Sequence, residues 1–261
     1  SHHQGVEFRA AADPVLYINN PPGVDRGDRR ELLDALGELA ASQHAASNDA
    51  EVLSRVSQYE MAYRMQASVP EIADISSEPE SVLQLYGPDV HKPGTFARNC
   101  LIARRLAERG VKYQTLFAMG WDHHLAIKQS FPVRCQEIDQ PAAGLVQDLK
   151  QRGLLEDTII LWTTEFGRMP SSQGGKGRDH NPYVFTNWLC GGGIRGGTTY
   201  GHSDEWGYKP LDRDRPTQVY DIHATILHLL GIDHTKLTFR SNGIDRRLTD
   251  VHGHVIDELL A

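Results

Sequence analysis

The chain has 261 residues, of which 39% are hydrophobic, 8% aromatic and 23% charged; that apolar share is enough to bury a core and excludes a wholly disordered polymer. Its 27 basic and 34 acidic side chains leave a net charge of −7, and with no long basic run the chain is a poor candidate for binding duplex nucleic acid. The longest uninterrupted apolar stretches are about five or six residues, far short of the roughly 20 needed to span a bilayer as a helix.

Cys100, Cys135 and Cys190 are widely spaced and form no CxxC pair, so no disulfide framework is expected. The chain opens on SHHQGVEF, without an initiator methionine, a charged n-region or an apolar h-region. No signal peptide is expected in this stretch, and the missing methionine leads to the expectation of a lost upstream segment.

Residues 1–94 are expected to form a helical layer or insertion. DPVLYI (13–18) reads as a short strand and NNPPG (19–23) as a turn. Asp25 or Asp28 can cap a helix through RRELLDALGELAAS, with Leu32, Leu33, Leu36 and Leu39 on one stripe. A second helix is expected near 49–67, with Val52, Val56, Tyr59, Tyr63 and Met65 on or near its apolar face; Pro70, Pro79, Pro88 and Pro93 then punctuate short helical turns.

Residues 95–261 are expected to form an α/β core. A helix FARNCLIARRLAERG stops at Gly110, and a strand covers 111–119. A helix from Pro132 to about Arg152 stops at Gly153, and a strand covers 157–164. An apolar segment (183–190) and a glycine-rich loop, GGGIRGG, follow, then a helix from near Asp221 to Gly231 and a last helix over 250–260. Helices alternating with strands at this spacing predict a mostly parallel sheet flanked by helices, with ligands beyond the carboxyl ends of its strands.

Those strand ends carry the chemistry. Asp122, His123 and His124 follow the run 111–119. In extended backbone, residues i and i+2 share a face, so Asp122 and His124 can converge while His123 faces away. Glu165 follows the strand at 157–164, with Arg168 suited to an oxyanion. Asp179 and His180 sit in a loop with Gly174, Gly175 and Gly177. Asp122, His124, Glu165 and His180 together make a normal donor set for a catalytic divalent metal; carboxylate plus imidazole suits zinc, manganese or iron, and calcium is a further candidate. Asp179, Asp204, Glu205 and His223 form a second tier; Asp221 reads as a helix cap.

The motifs WDHH, TEFGRMP, GRDHNP, GGGIRGGTTYG, SDEWGY, DIHATILHLLGID and RLTDVHGHV together resemble a bacterial family catalogued as domain of unknown function 1501. The resemblance covers essentially the whole chain and is densest from Phe96 onward. The family is placed in the alkaline phosphatase and sulfatase superfamily, which implies an alkaline-phosphatase-like sheet, here incomplete because the N-terminal segment is lacking. It also implies export to the periplasm or cell exterior. It implies a two-metal hydrolase, with Asp122, His124 and His180 in one site. In the other site Glu165 stands for an Asp, and Phe166 stands where the superfamily has a His. The superfamily's nucleophile comes from an early strand with no match here and is expected upstream. The stretch CLIAR (100–104) is close to the sulfatase signature C-x-[PA]-x-R, but Ile102 breaks it, and Cys100 reads as a core residue of a helix.

The expected function is therefore metal-dependent hydrolysis of sulfate or phosphate esters, with Arg168 and Glu165 acting on the substrate. Two rivals stand beside it: a non-catalytic, metal-stabilised binding module for sulfated glycans, and a phosphomutase-like transferase. The expected partner is a small anionic ester or a sulfated glycan, with no nucleic acid and no membrane span.

Overall fold

A computed structural model describes residues 6–8, 15 and 19–261; the strand expected at 13–18 lies, apart from Val15, outside the described residues. Tertiary contacts divide the chain into two compact units, residues 1–117 with 140–145 and residues 118–139 with 146–261.

In the first unit, helix α1 (Arg26–Ser47) begins with a capping box: Asp25 accepts from the Asp28 N–H while Asp28 accepts from the Asp25 N–H. Asn48 turns the chain in a left-handed conformation, φ 54°, and Asp49 caps α2 (Ala50–Ala73). Arg30 clasps Glu60 across the hairpin with both terminal nitrogens, at 3.0 and 2.5 Å. Of the expected leucine stripe on α1, Leu33 is buried and Leu32 and Leu39 are exposed. Helix α2 runs six residues beyond its expected end. Pro70 lies in its last turn, flanked by the buried Val69 and Ile72, so packing on both sides sustains the helix through the missing N–H bond.

The core of this unit lies under α3 (Glu80–Tyr86), a 3-10 turn at Pro88–His91, and α4 (Phe96–Glu108). Thr95 caps α4 by accepting from the Arg98 N–H at 3.2 Å. Ile75, Leu83, Tyr86, Val90, Ala97, Cys100 and Leu101 form one buried cluster, so Cys100 is a core residue as expected. Burial pushes its thiol pKa well up. Beside it lies an ionic layer: Glu78 bridges the Arg104 guanidinium, 2.6 Å away, and that of Arg105, while Arg104 also reaches Glu108 at 2.7 Å.

In the second unit, α5 (Ile127–Gln151) starts five residues before Pro132. Its N-cap, Ala126, is in the left-handed region at φ 52°, and the Ile127 N–H donates to the Lys176 carbonyl. Three short antiparallel ladders follow: β1 (Ile160–Trp162) with β4 (Trp188–Cys190), β2 (Gly167–Arg168) with β3 (His180–Asn181), and β5 (Thr238–Ser241) with β6 (Ile244–Arg247). Helix α6 (Val219–Leu229) lies between β4 and β5 in the chain; Asp221 completes its capping box with Gln218.

This architecture overturns the expected α/β core. Among the described residues there is no parallel sheet, and the strands are two to four residues long. Residues 113–119 alternate in burial as a strand would, but 111–119 form no strand among the described residues: Tyr113 is 86% and Phe117 73% exposed. Alternation reports an extended backbone; it does not supply the neighbouring edge that makes a sheet. The run at 157–164 contributes three ladder residues, and its partner approaches antiparallel, so no crossover connection exists. The helix expected over 250–260 is a loop ending in a single 3-10 turn, Asp257–Leu259. No helix of the described residues is long and apolar enough to cross a membrane.

Candidate metal centre

Two segments of the second unit build the centre. The first is the loop 118–126, which carries Asp122 and His124. Between them His123 turns the other way and is buried, edge-on to the rings of Trp121 and Phe131. The Ser130 hydroxyl donates to the Ala126 carbonyl, so it accepts from His123 Nδ1 at 2.9 Å. Burial holds the His123 imidazole below its usual pKa, in the neutral form. Anchored this way, His123 leaves its two neighbours on the open side.

The second segment is the β2–β3 ladder and its connecting loop. The register sets Arg168 directly opposite His180. Gly167 is required there, because a Cβ would collide with the Val184 carbonyl. Asn181, fully buried, donates to the Tyr208 carbonyl and accepts from the Tyr183 N–H, which fixes the strand that carries His180. The loop is zipped onto the first segment: the Arg178 N–H donates to the His123 carbonyl at 2.9 Å, and Gly177 sits so close to the His124 carbonyl that no Cβ would fit.

Together these segments bring Asp122, His124 and His180 to one point. His124 Nε2 lies 3.0 Å from Asp122 Oδ1 and 3.0 Å from His180 Nε2, and His180 Nε2 lies 3.4 Å from the same Asp122 oxygen. Two imidazole nitrogens and a carboxylate oxygen facing one another repel unless a proton or a cation lies between them. The centre of that triangle is about 1.8 Å from each corner, just inside the roughly 2.0–2.2 Å typical of metal bonds to imidazole and carboxylate. Asp122, His124 and His180 are thus positioned to coordinate a divalent metal ion. The centre is open: the Asp122 side chain is 69% exposed.

Arg168 completes the electrostatics. Its Nη2 donates to Asp122 Oδ1 at 2.8 Å and to the Trp121 carbonyl, and its Nη1 to the Arg178 carbonyl. The hydrogen bond from Arg168, followed by that from His180, holds the Asp122 carboxyl below its ordinary pKa, so it is ionised at neutral pH. Phe166, where the resemblance implied a lost histidine ligand, stacks on the His180 ring with centroids 4.1 Å apart and lies beneath the Arg168 guanidinium.

The other expected residues take different places. Glu165 is not among the converging ligand atoms: its carboxylate is held by its own backbone N–H and by the Thr164 hydroxyl, and those bonds lower its pKa. Asp179 accepts from the His180 N–H at 2.8 Å and stands 4.0 Å from His124 Nδ1. Asp204 accepts from the N–H groups of Tyr208 and Lys209, organising a turn; Glu205 and His223 are exposed. Sequence reasoning missed Gln173, whose Oε1 lies 2.7 Å from His124 Nδ1. Its only sequence signal is a polar side chain at the foot of the glycine loop that leads to His180.

A family model described as "Protein of unknown function (DUF1501)" matches residues 1–260. No curated protein and no solved structure matches the chain. The chain belongs to that family. The sulfatase-like, alkaline-phosphatase-type fold that the resemblance attached to it does not hold for this chain, whose strands form only two-stranded antiparallel ladders.

Proposed function

We propose that this family member is a metal-dependent hydrolase of small anionic esters, phosphate or sulfate, acting at the Asp122, His124 and His180 centre. One observation carries the reading: a three-ligand, solvent-open donor set has an arginine bonded to its carboxylate, 2.8 Å away. A bound divalent ion would supply Lewis-acid polarisation of an ester oxygen. Arg168 has five N–H groups and makes three hydrogen bonds to the protein. Its fixed positive charge suits the developing charge of a phosphoryl or sulfuryl group. Phe166 closes one side of His180 and keeps its ring from swinging toward solvent. Glu165, an ionised carboxylate that feels the charges of Arg168 and His180, is the second group proposed to act on the substrate. Export to the periplasm or cell exterior belongs to the same reading.

A second reading, a non-catalytic metal-stabilised module for sulfated glycans, is favoured by one feature: the Glu165 carboxylate is tied to Thr164 and its own backbone instead of turning into the donor set.

The test is turnover of aryl phosphate and aryl sulfate esters by the purified protein with zinc or manganese. We expect metal-dependent hydrolysis on one panel, abolished by chelation and reduced at least ~100-fold by His180→Ala. Metal binding without turnover, with retention on a sulfated polysaccharide column, would select the second reading.

A further inference from the structure

We infer that Gln173 is the positioning residue of this centre: its side-chain carbonyl fixes His124 in the tautomer that offers a bare Nε2 to the cation. The inference rests on the metal centre and is independent of which ester, if any, is hydrolysed there.

A neutral imidazole carries one N–H and one lone pair, and only the lone-pair nitrogen can be a ligand. Acceptors on both sides of the ring compete for the single proton of His124. Asp122 Oδ1 and His180 Nε2, each 3.0 Å from Nε2, would draw the proton onto Nε2 and close the centre to metal. Gln173 Oε1, 2.7 Å from Nδ1, draws it to the far side of the ring and leaves Nε2 open. Among the described residues no other acceptor stands in for Gln173: Asp179 Oδ1 is 4.0 Å from Nδ1, beyond hydrogen-bond reach, and is already engaged by the His180 N–H.

The carboxamide can perform this role because its backbone is fixed. The Gln173 N–H donates to the Gly177 carbonyl at 2.8 Å, and the Gln173 carbonyl accepts from the N–H groups of Lys176 and Gly177. The same loop is fastened to the histidine segment through the Arg178 N–H on the His123 carbonyl and the Ile127 N–H on the Lys176 carbonyl. Gly174 and Gly175 take left-handed φ of 57° and 72° to close the turn. Gln173 and His124, 49 residues apart in the chain, therefore hold one distance. Partners of this kind behind a ligating histidine typically change metal affinity ~10–100-fold.

The experiment compares wild type, Gln173→Leu and Gln173→Glu. Zinc affinity is measured calorimetrically, and the His124 tautomer is read from imidazole ¹⁵N resonances of the metal-free protein. We expect Nδ1–H in wild type, and Nε2–H with zinc bound ~10–100-fold more weakly in Gln173→Leu. Gln173→Glu keeps an acceptor at the same reach and should hold both the wild-type tautomer and an affinity at least as high. An Nε2–H tautomer in wild type, or an unchanged tautomer or zinc affinity in Gln173→Leu, would overturn the inference. If the leucine variant does not fold, the wild-type tautomer and the glutamate variant decide it. Absence of zinc binding in wild type would remove the metal centre itself, a failure the metal-free tautomer measurement tells apart from a failure of Gln173.

Discussion

The ionic layer beside α4 and the donor set at the β2–β3 ladder are built from the same kinds of side chain under opposite conditions. Beside α4, Arg104 and Glu78 are 2% and 7% exposed, and each charge meets its opposite: Glu78 between Arg104 and Arg105, Arg104 also on Glu108. At the ladder, the side chains lie open to solvent, and atoms of like character face each other, two ring nitrogens and a carboxylate oxygen. The first arrangement is electrically complete and therefore structural. The second needs a proton or a cation between its facing atoms, and its exposure leaves a cation free to enter.

That contrast is easiest to break from the buried side. Glu78→Ala leaves two buried guanidiniums without their shared carboxylate. We expect ~3–5 kcal/mol of destabilisation, read as a lowered urea midpoint, with zinc affinity of the folded protein unchanged. A loss under 1 kcal/mol would mean that Glu108 and solvent satisfy the arginines and that the layer is not structural.

The exposed side should respond the other way. Gly177→Ala puts a methyl group where the His124 carbonyl lies, so the loop and the histidine segment must part. Displacing a ligand in this way should weaken zinc binding roughly 10–100-fold, with a far smaller shift in urea midpoint than Glu78→Ala produces. Equal shifts in both variants would erase the distinction between a cluster that holds the fold and one that awaits a ligand.

How much of this was legible in the sequence depends on whether the information was local. Helices α4 and α6 carry signals near their ends, Gly110 after one and Asp221 and Gly231 on the other, and their positions were readable. The meeting of Asp122 with His124 follows from i, i+2 geometry, and the glycine loop announced a close approach of His180. The sheet was not readable, because the residues at 111–119 declare an extended backbone but not a partner, and pairing is decided by segments far away in the chain. Glu165 illustrates a local rule defeating a regional one: its position after a strand pointed to the centre, but the adjacent Thr164 hydroxyl and its own N–H capture the carboxylate first. Gln173 was invisible for the reverse reason, since its value lies entirely in a contact 49 residues away.

Cys100 offers the smallest and sharpest test of the packed side. It is fully buried among Tyr86, Val90, Ala97 and Leu101, with no charge to favour a thiolate, and burial alone raises its pKa. A raised folded-state pKa means that the native state keeps its proton while the unfolded chain loses it. The contribution to stability is therefore complete below the unfolded thiol pKa of about 8.5 and declines as pH rises above it. Between pH 7 and pH 10 the wild type should lose ~2 kcal/mol through this one group. In Cys100→Ala that pH-dependent part is absent, whatever constant cost the missing sulfur adds. The gap between the two proteins should accordingly narrow by the same ~2 kcal/mol on going to pH 10, measured by urea unfolding at each pH. Parallel curves would show that the thiol ionises in place, which requires water to reach it, and the helical core would then be as open as the loops that carry Asp122 and His180.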